Sequence, residues 1–215
     1  MRIALIHALK QSIQPIEKSF AKIWPEAKTF NILDDSLSSD LVRDGKLTAL
    51  TTERFLILAR YAAQIGSDGI LFTCSAFGEC ISACAQELHP LPVLKPYEAM
   101  IEKAAVRGRR IGLLATFAPT LISMPSEFPK DVTLQTKLAA GALDALEKGL
   151  PDEHDKLAVS AAHDLVGCDV IALAQFSLAR TAPLIEASLR KPVLTPQDCA
   201  AAKMKMLLTP QGCDQ

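Results

Sequence analysis

Aromatic residues are scarce in this sequence, and neither sign of charge dominates it. Only 5% of the 215 residues are Phe, Trp or Tyr, and 23 Lys and Arg residues nearly balance 24 Asp and Glu residues. Nucleic-acid-binding proteins concentrate positive charge on one face, so this balance argues against a nucleic-acid partner. The chain is nevertheless long enough to bury a substantial hydrophobic core.

Long hydrophobic runs are also absent. No apolar stretch approaches the ~20 residues that a membrane-spanning helix needs. The sequence opens with MRIALIH, which shows no signal-peptide cleavage pattern. We therefore expect a cytoplasmic protein without a membrane partner.

Paired cysteine motifs are missing as well. The six cysteines contain no C-x-x-C pair, so we predict neither a metal site nor a redox motif. The lack of a disulfide framework agrees with a reducing compartment. The cysteines are Cys74, Cys80, Cys84, Cys168, Cys199 and Cys213.

The sequence does contain a regular alternation of short apolar strands with amphipathic helices. We predict strands at 2–8, 28–33, 69–73 and 91–94, and helices at 15–24, 48–65 and 78–88. The polar, acidic segment 34–44 is predicted to be a loop. Such an alternation favours an α/β fold with parallel sheets.

The second half of the chain resembles the first. RIALIHA at 2–8 aligns with RIGLLAT at 110–116, GSDGILFTC at 66–74 with GCDVIALAQ at 167–175, and PVLKP at 92–96 with PVLTP at 192–196. The nearly constant offset predicts a duplicated unit. We expect two pseudo-symmetric lobes, 1–95 plus 196–215 and 96–195, each a parallel sheet of about four strands flanked by helices.

Parallel α/β sheets bind ligands outside the carboxyl ends of their strands. If the two lobes face each other, equivalent positions from both line a cleft that forms the active site, and Cys74 faces Gln175 across a small molecule. The predicted lining is His7, Ala8, Thr73, Cys74 and Ser75 from lobe one, and Ala115, Thr116, Gln175, Phe176 and Ser177 from lobe two.

Cys74 stands where a buried strand passes into a helix. The unpaired N–H groups and the dipole of a helix amino terminus lower the pKa of a thiol and attract a carboxylate. We therefore expect Cys74 to be reactive. The alternative is that it only packs in the core, as buried cysteines often do.

These segments resemble the aspartate/glutamate/hydantoin racemase superfamily, which includes maleate isomerases and arylmalonate decarboxylase. The similarity rests on GSDGILFTCS at 66–75, GLLAT at 112–116 and GCDVIALAQFS at 167–177. Membership implies a cofactor-independent isomerase or racemase for a small carboxylate or related amide. It also makes a homo-oligomer plausible.

The resemblance implies that two cysteines exchange a proton on opposite faces of the substrate. Cys74 matches the first, whereas Gln175 occupies the second position. Because an amide does not transfer protons near neutral pH, we expect chemistry through Cys74 alone. The resemblance further places the hydroxyls of Ser75 and Thr116 around an acidic group, together with backbone N–H groups of the turns at Ser75–Ala76 and Phe176–Ser177.

Several alternatives remain open at this stage. A catalytically degenerate small-carboxylate binder fits a single cysteine. An arylmalonate-type decarboxylase also has one cysteine, but the resemblance places it on the second-lobe side, opposite to Cys74, so this alternative ranks below an isomerase. A thiol hydrolase would need His7 as a partner for Cys74. His7 either assists the site or is satisfied by its neighbours, and Thr116 either binds the ligand or caps the helix after Pro119. Segment 117–129 is a candidate lid, a small helix or a subunit contact.

Overall fold

The computed structural model describes residues 1–209, so Cys213 lies outside the described residues. The chain divides into two compact units. Unit 1 contains Met1–Pro96 and the described residues from Gln197 onward, and unit 2 contains Tyr97–Pro196. Among the described residues, no helix combines the length and the apolar character needed to cross a membrane.

Unit 1 is built on a four-stranded parallel sheet with the order β2-β1-β3-β4. The two central strands are almost completely buried because helices cover both faces and nearly every residue in them is apolar. The strands are β1 (Arg2–His7), β2 (Lys28–Leu33), β3 (Gly69–Phe72) and β4 (Val93–Leu94).

Within the described residues, five helices accompany this sheet, and the longest begins with a reciprocal cap. The Thr48 hydroxyl accepts a hydrogen bond from the Thr51 backbone N–H at 3.1 Å, and the Thr51 hydroxyl accepts one from the Thr48 N–H at 3.3 Å. The helices are α1 (Ile13–Ile23), α2 (Ser36–Asp44), α3 (Ala49–Gln64), α4 (Gly78–Glu87) and α10 (Pro196–Leu208), of which α10 begins at the last residue of unit 2.

Helix α2 corrects the prediction of a loop at 34–44. Its amphipathic pattern is short, with Leu37 and Leu41 buried one turn apart. The Asp34 carboxylate accepts hydrogen bonds from the Ser36 N–H and hydroxyl, which supports the first turn. Gly45 ends the helix at φ +66°, a left-handed conformation that glycine adopts without strain. The density of Ser and Asp had hidden this helix in the sequence.

Unit 2 repeats the arrangement with the strand order β6-β5-β7-β8. Its strands are β5 (Arg110–Ala115), β6 (Thr133–Leu138), β7 (Val170–Leu173) and β8 (Val193–Leu194). Its helices are α5 (Glu98–Arg107), α6 (Thr120–Ser123), α7 (Ala142–Glu147), α8 (Pro151–Ala162) and α9 (Ala182–Leu189). The expected fold class, two parallel four-stranded sheets flanked by helices, is confirmed.

The same aspartate contact ties the central strands together at the amino end of each sheet. Asp68 accepts a hydrogen bond from the Arg2 N–H at 2.6 Å, and Asp169 accepts one from the Arg110 N–H at 2.8 Å. In return, the Asp68 and Asp169 N–H groups donate to the Arg2 and Arg110 carbonyls. The G-x-D segments that aligned in the sequence therefore perform the same structural task in both units.

Candidate active site

Cys74 lies two residues beyond β3, at the carboxyl edge of the unit 1 sheet. Its backbone is extended, with φ −111° and ψ 121°, and it immediately precedes the 3-10 turn Ser75–Phe77. Phe72 and Phe77 flank the segment and both pack on Phe55 of α3, with ring centroids 5.1 and 4.8 Å apart. This aromatic cluster fixes the backbone on both sides of the thiol.

Burial governs the ionisation of Cys74. The side chain is only 6% exposed, and desolvation of the thiolate raises its pKa to about 11. Hydrogen bonds from the Ala76 N–H and from Ser38 oppose this effect but are smaller. The expectation of a lowered pKa is therefore wrong: the turn supplies its N–H group, but loss of water outweighs it. The resting side chain is a neutral thiol at pH 7.

Ser38 is a neighbour of Cys74 that the sequence did not reveal. It lies on α2, is 5% exposed, and donates a hydrogen bond to the Ala8 carbonyl at 2.9 Å. Recognising α2 from the spacing of Leu37 and Leu41 would have placed Ser38 on the buried side, since Ser38 lies three residues before Leu41 on the same helix face. Predicting a loop at 34–44 left no helix face on which Ser38 could be placed.

His7 is fully buried at the carboxyl end of β1, and both ring nitrogens have partners. Nδ1 lies 2.7 Å from the Thr73 hydroxyl and Nε2 lies 2.9 Å from the Asn31 side-chain oxygen. Burial lowers the pKa of His7, while Asn31 and Glu17 oppose that shift. The structure thus brings His7 and Thr73 together and gives His7 the contacts of a histidine satisfied by its neighbours.

Gln175 lies two residues beyond β7, in the same local setting that Cys74 has beyond β3. Its backbone is extended, with φ −123° and ψ 150°, and it precedes the 3-10 turn Phe176–Thr181. The side-chain oxygen accepts a hydrogen bond from the Thr116 N–H at 2.9 Å, and Nε2 donates one to the Thr120 hydroxyl at 2.9 Å. Both ends of the amide are therefore held within unit 2.

Two buried hydroxyls near Gln175 lack protein partners. Thr116 follows β5 and is 7% exposed, and Ser177 follows Gln175 and is 6% exposed. Neither Oγ atom makes a hydrogen bond. Because the Thr116 hydroxyl is unpaired, it does not cap α6. Buried hydroxyls normally find partners, so these two are available to bind a ligand, a role that stays a prediction.

The remaining predicted residues adjoin these positions. Ser75, Ala76 and Phe176 are all buried in the turns that follow β3 and β7. The Ala76 N–H reaches the Cys74 sulfur, as a turn that holds an anion requires. The roles of Ser75, Ala76 and Phe176 toward a ligand stay predictions.

Segment 117–129 is helical for much of its length. It contains α6 and the 3-10 turn Met124–Glu127, and it buries Phe117, Met124 and Phe128. Thr120 of this segment holds the Gln175 amide. The segment is therefore part of the packing around Gln175, and its action as a lid stays a prediction.

The other four described cysteines form no disulfide. Cys168 lies at the amino end of β7, where its Sγ is 3.6 Å from the Gln135 side-chain oxygen. All five described cysteines are free thiols. Within residues 1–209, no group of three or more His, Cys, Asp or Glu side chains is arranged to hold a metal ion.

Comparison with known proteins agrees with this architecture. A family model described as Asp/Glu/hydantoin racemase matches residues 12–204. No curated protein sequence matches the chain. Glutamate racemase from Bacillus anthracis is similar in structure, with a TM-score of 0.78 and 14% identity over 98% of this chain and 82% of that one.

Two further solved structures are similar to the chain. Allantoin racemase from Klebsiella pneumoniae has a TM-score of 0.69 and 18% identity, over 97% of this chain and 88% of that one. A liganded double mutant of arylmalonate decarboxylase, which gains one cysteine and loses another, has a TM-score of 0.65 and 16% identity, over 99% of this chain and 94% of that one. These TM-scores show a shared fold, and the match of the family model over residues 12–204 shows that the chain belongs to the Asp/Glu/hydantoin racemase family.

Proposed function

We propose that this protein is a cofactor-independent, isomerase-like or racemase-like enzyme that acts on a small carboxylate or a related amide through Cys74 alone. The contrast between Cys74 and Gln175 carries the proposal. Both residues stand two positions beyond the third strand of their unit, in extended backbone before a 3-10 turn. One supplies a titratable sulfur and the other an amide whose two ends are hydrogen-bonded.

Gln175 does not replace the missing acid or base. A carboxamide neither gains nor loses a proton near neutral pH, and the contacts of Gln175 fix its orientation. The amide instead organises the edge of the unit 2 sheet, because its oxygen holds the N–H of Thr116. Cys74 is therefore the only proposed acid or base, and proton transfer is one-sided, which means that it occurs on only one face of the substrate.

The orphan hydroxyls of Thr116 and Ser177 support an anionic substrate. Each hydroxyl has a proton to donate and a buried position from which water is largely excluded. Donors of this kind stabilise carboxylate or enolate oxygens more strongly than they would in water. We assign them to a carboxylate or to the carbonyl of a cyclic amide.

The protonated resting state of Cys74 favours a decarboxylase of the arylmalonate type as the second candidate. A thiol whose pKa is about 11 holds its proton at pH 7 and is ready to donate it. Loss of CO₂ from a malonate leaves an enolate, Cys74 protonates its carbon, and water reprotonates the thiolate. This sequence needs one acid and no second base. A racemase-like exchange must first ionise the thiol, so its rate should rise with pH toward the thiol pKa.

α-Proton exchange in deuterated water tests the proposal. The panel contains glutamate, aspartate, allantoin, hydantoins, maleate and an arylmalonate, each followed by proton NMR. We expect one of them to incorporate deuterium, isomerise or lose CO₂ with wild-type protein and with the Cys168→Ser control. The Cys74→Ser variant should lose this reaction.

Two results would contradict the proposal. Retention of the reaction in Cys74→Ser would remove Cys74 from the chemistry. Binding of a panel compound without any reaction would favour the small-carboxylate binding protein. The Gln175→Cys variant adds a direct check, because we expect it to gain racemisation where the wild-type protein shows one-sided exchange.

A further inference from the structure

Helix α2 brings a hydroxyl to the sulfur of Cys74. Ser38 is buried, and its side chain lies within hydrogen-bonding reach of Cys74 while it donates to the Ala8 carbonyl at 2.9 Å. Ser39, the next residue, is exposed and donates to the Ser36 carbonyl of its own helix at 2.9 Å. Of these two adjacent serines, only Ser38 is a hydrogen-bonding neighbour of the thiol.

Counting protons shows what the Ser38 contact does. A serine hydroxyl has one proton to donate and two lone pairs. While Cys74 is a thiol, the Ser38 proton bonds the Ala8 carbonyl and a lone pair remains for the S–H group. When Cys74 becomes a thiolate, its S–H donor is lost and the sulfur needs a donor. Rotation of the Ser38 hydroxyl supplies one without moving the backbone.

A charged network holds α2 in place. The guanidinium group of Arg54 on α3 contacts Asp34 at 2.5 Å and Asp40 at 2.6 Å, and it also bonds the Ser36 hydroxyl at 2.6 Å. Asp40 and Ser36 each lie two residues from Ser38 along α2. Arg54 is therefore a positioning residue that presents Ser38 to the thiol.

We propose that Ser38 is a further residue of the reaction centre, whose hydroxyl moves its hydrogen bond from the Ala8 carbonyl to the Cys74 sulfur as the thiolate forms. The proposal rests on the proposed function only in that the proposed reaction gives the Cys74 thiolate its catalytic role. The contact itself concerns the thiol and is measurable without turnover. Together, Ser38 and the Ala76 N–H give the sulfur two donors.

Other titratable groups belong to the elements that meet at this edge. From β1, His7 bonds Thr73 and Asn31, and beyond β2, Asp34 pairs with Arg54. From α2, Asp40 pairs with Arg54 as well. On α4, Glu79 is exposed, whereas Cys80 is buried beside the Thr52 hydroxyl at 3.4 Å. None of the variants below changes these groups.

The ionisation of Cys74 tests the proposal directly. Full-length wild-type protein, Ser38→Ala, Ser38→Thr and Ser39→Ala are titrated by thiolate absorbance, with Cys74→Ser as the blank. The pH dependence of alkylation at the Cys74 peptide is measured in parallel by mass spectrometry. Losing a hydrogen bond to a charged group should reduce the thiolate fraction at a given pH about tenfold in Ser38→Ala. Ser39→Ala should match wild type, and Ser38→Thr should recover most of the loss.

The outcomes separate this proposal from the proposed function. An unchanged midpoint in a folded Ser38→Ala protein would overturn the role of Ser38, whatever the activity. A Ser39→Ala shift of the same size would also overturn it, because the effect would then belong to the helix as a whole. A shifted Ser38→Ala midpoint in a protein that turns over no panel compound would support Ser38 and count against the proposed reaction.

Discussion

Replacing Gln175 with leucine should destabilise the protein strongly although the two side chains are similar in size. The substitution removes the acceptor of the Thr116 N–H and the donor to the Thr120 hydroxyl. The Thr116 N–H would be left buried without its acceptor, which costs about 1–3 kcal/mol, and the lost hydrogen bond to Thr120 contributes about 0.5–1.5 kcal/mol more. Burial of the leucine offsets part of this, so we expect a net loss of about 3 kcal/mol in the free energy of unfolding.

Thermal unfolding followed by circular dichroism measures this effect. For a chain of this length, a loss of about 3 kcal/mol lowers Tm by about 6–12 °C. Gln135→Leu is the matched control, because Gln135 is exposed and its Nε2 donates to the Asp164 carbonyl at the other end of the sheet. Its Tm should fall much less. Equal Tm values for Gln175→Leu and wild type would refute the argument that the amide holds this edge together.

Three other substitutions follow from the packing and charge of the described residues. Gly112→Ala should lower the free energy of unfolding by about 1–3 kcal/mol, because the new Cβ would lie 2.9 Å from the Ile171 Cδ1. Denaturant titration measures this loss, and a variant as stable as wild type would contradict the prediction. Burial lowers the pKa of His7 below 6.5, so the unfolded chain takes up that proton first and stability falls as pH drops below about 6.5. His7→Asn should remove this fall from a plot of unfolding free energy against pH, and an unchanged slope of that plot would count against the prediction. Arg54→Met should destabilise the protein by about 1–2 kcal/mol, because Asp34 and Asp40 lose the half-buried guanidinium group that pairs with both of them. The control is Arg43→Met at an exposed ion pair, and an equal or smaller loss in Arg54→Met than in this control would contradict the prediction.

The sequence was most informative about the strands. Uninterrupted apolar runs are typical of central parallel strands, and β1 and β3 begin at the predicted residues and end one residue before the predicted bounds. The aligned G-x-D segments anticipated the matching Asp68 and Asp169 contacts. Helix α2 escaped prediction because its nine residues are rich in Ser and Asp and only two of its three apolar residues, Leu37 and Leu41, are buried.

The chemistry of the candidate site was harder to predict than its position. Sequence placed Cys74 after β3, but the sign of its pKa shift depends on how deeply the folded protein buries the thiol, which no local pattern encodes. The two hydrogen bonds of Gln175 and the orphan hydroxyls of Thr116 and Ser177 depend on neighbouring strands that are distant in sequence. Ser38 was not predicted as a neighbour of Cys74, because the helix that carries it was not predicted.

The central claim is that proton transfer is one-sided, and one sample measures it. A single enantiomer of the panel compound that reacts is incubated in deuterated water, and α-deuterium content and enantiomeric excess are followed together. We predict that deuterium enters while the starting configuration is retained, or, for a prochiral malonate, that one enantiomer of labelled product forms. Loss of optical purity at the rate of deuterium uptake would show a second acid or base and contradict the role given to Gln175.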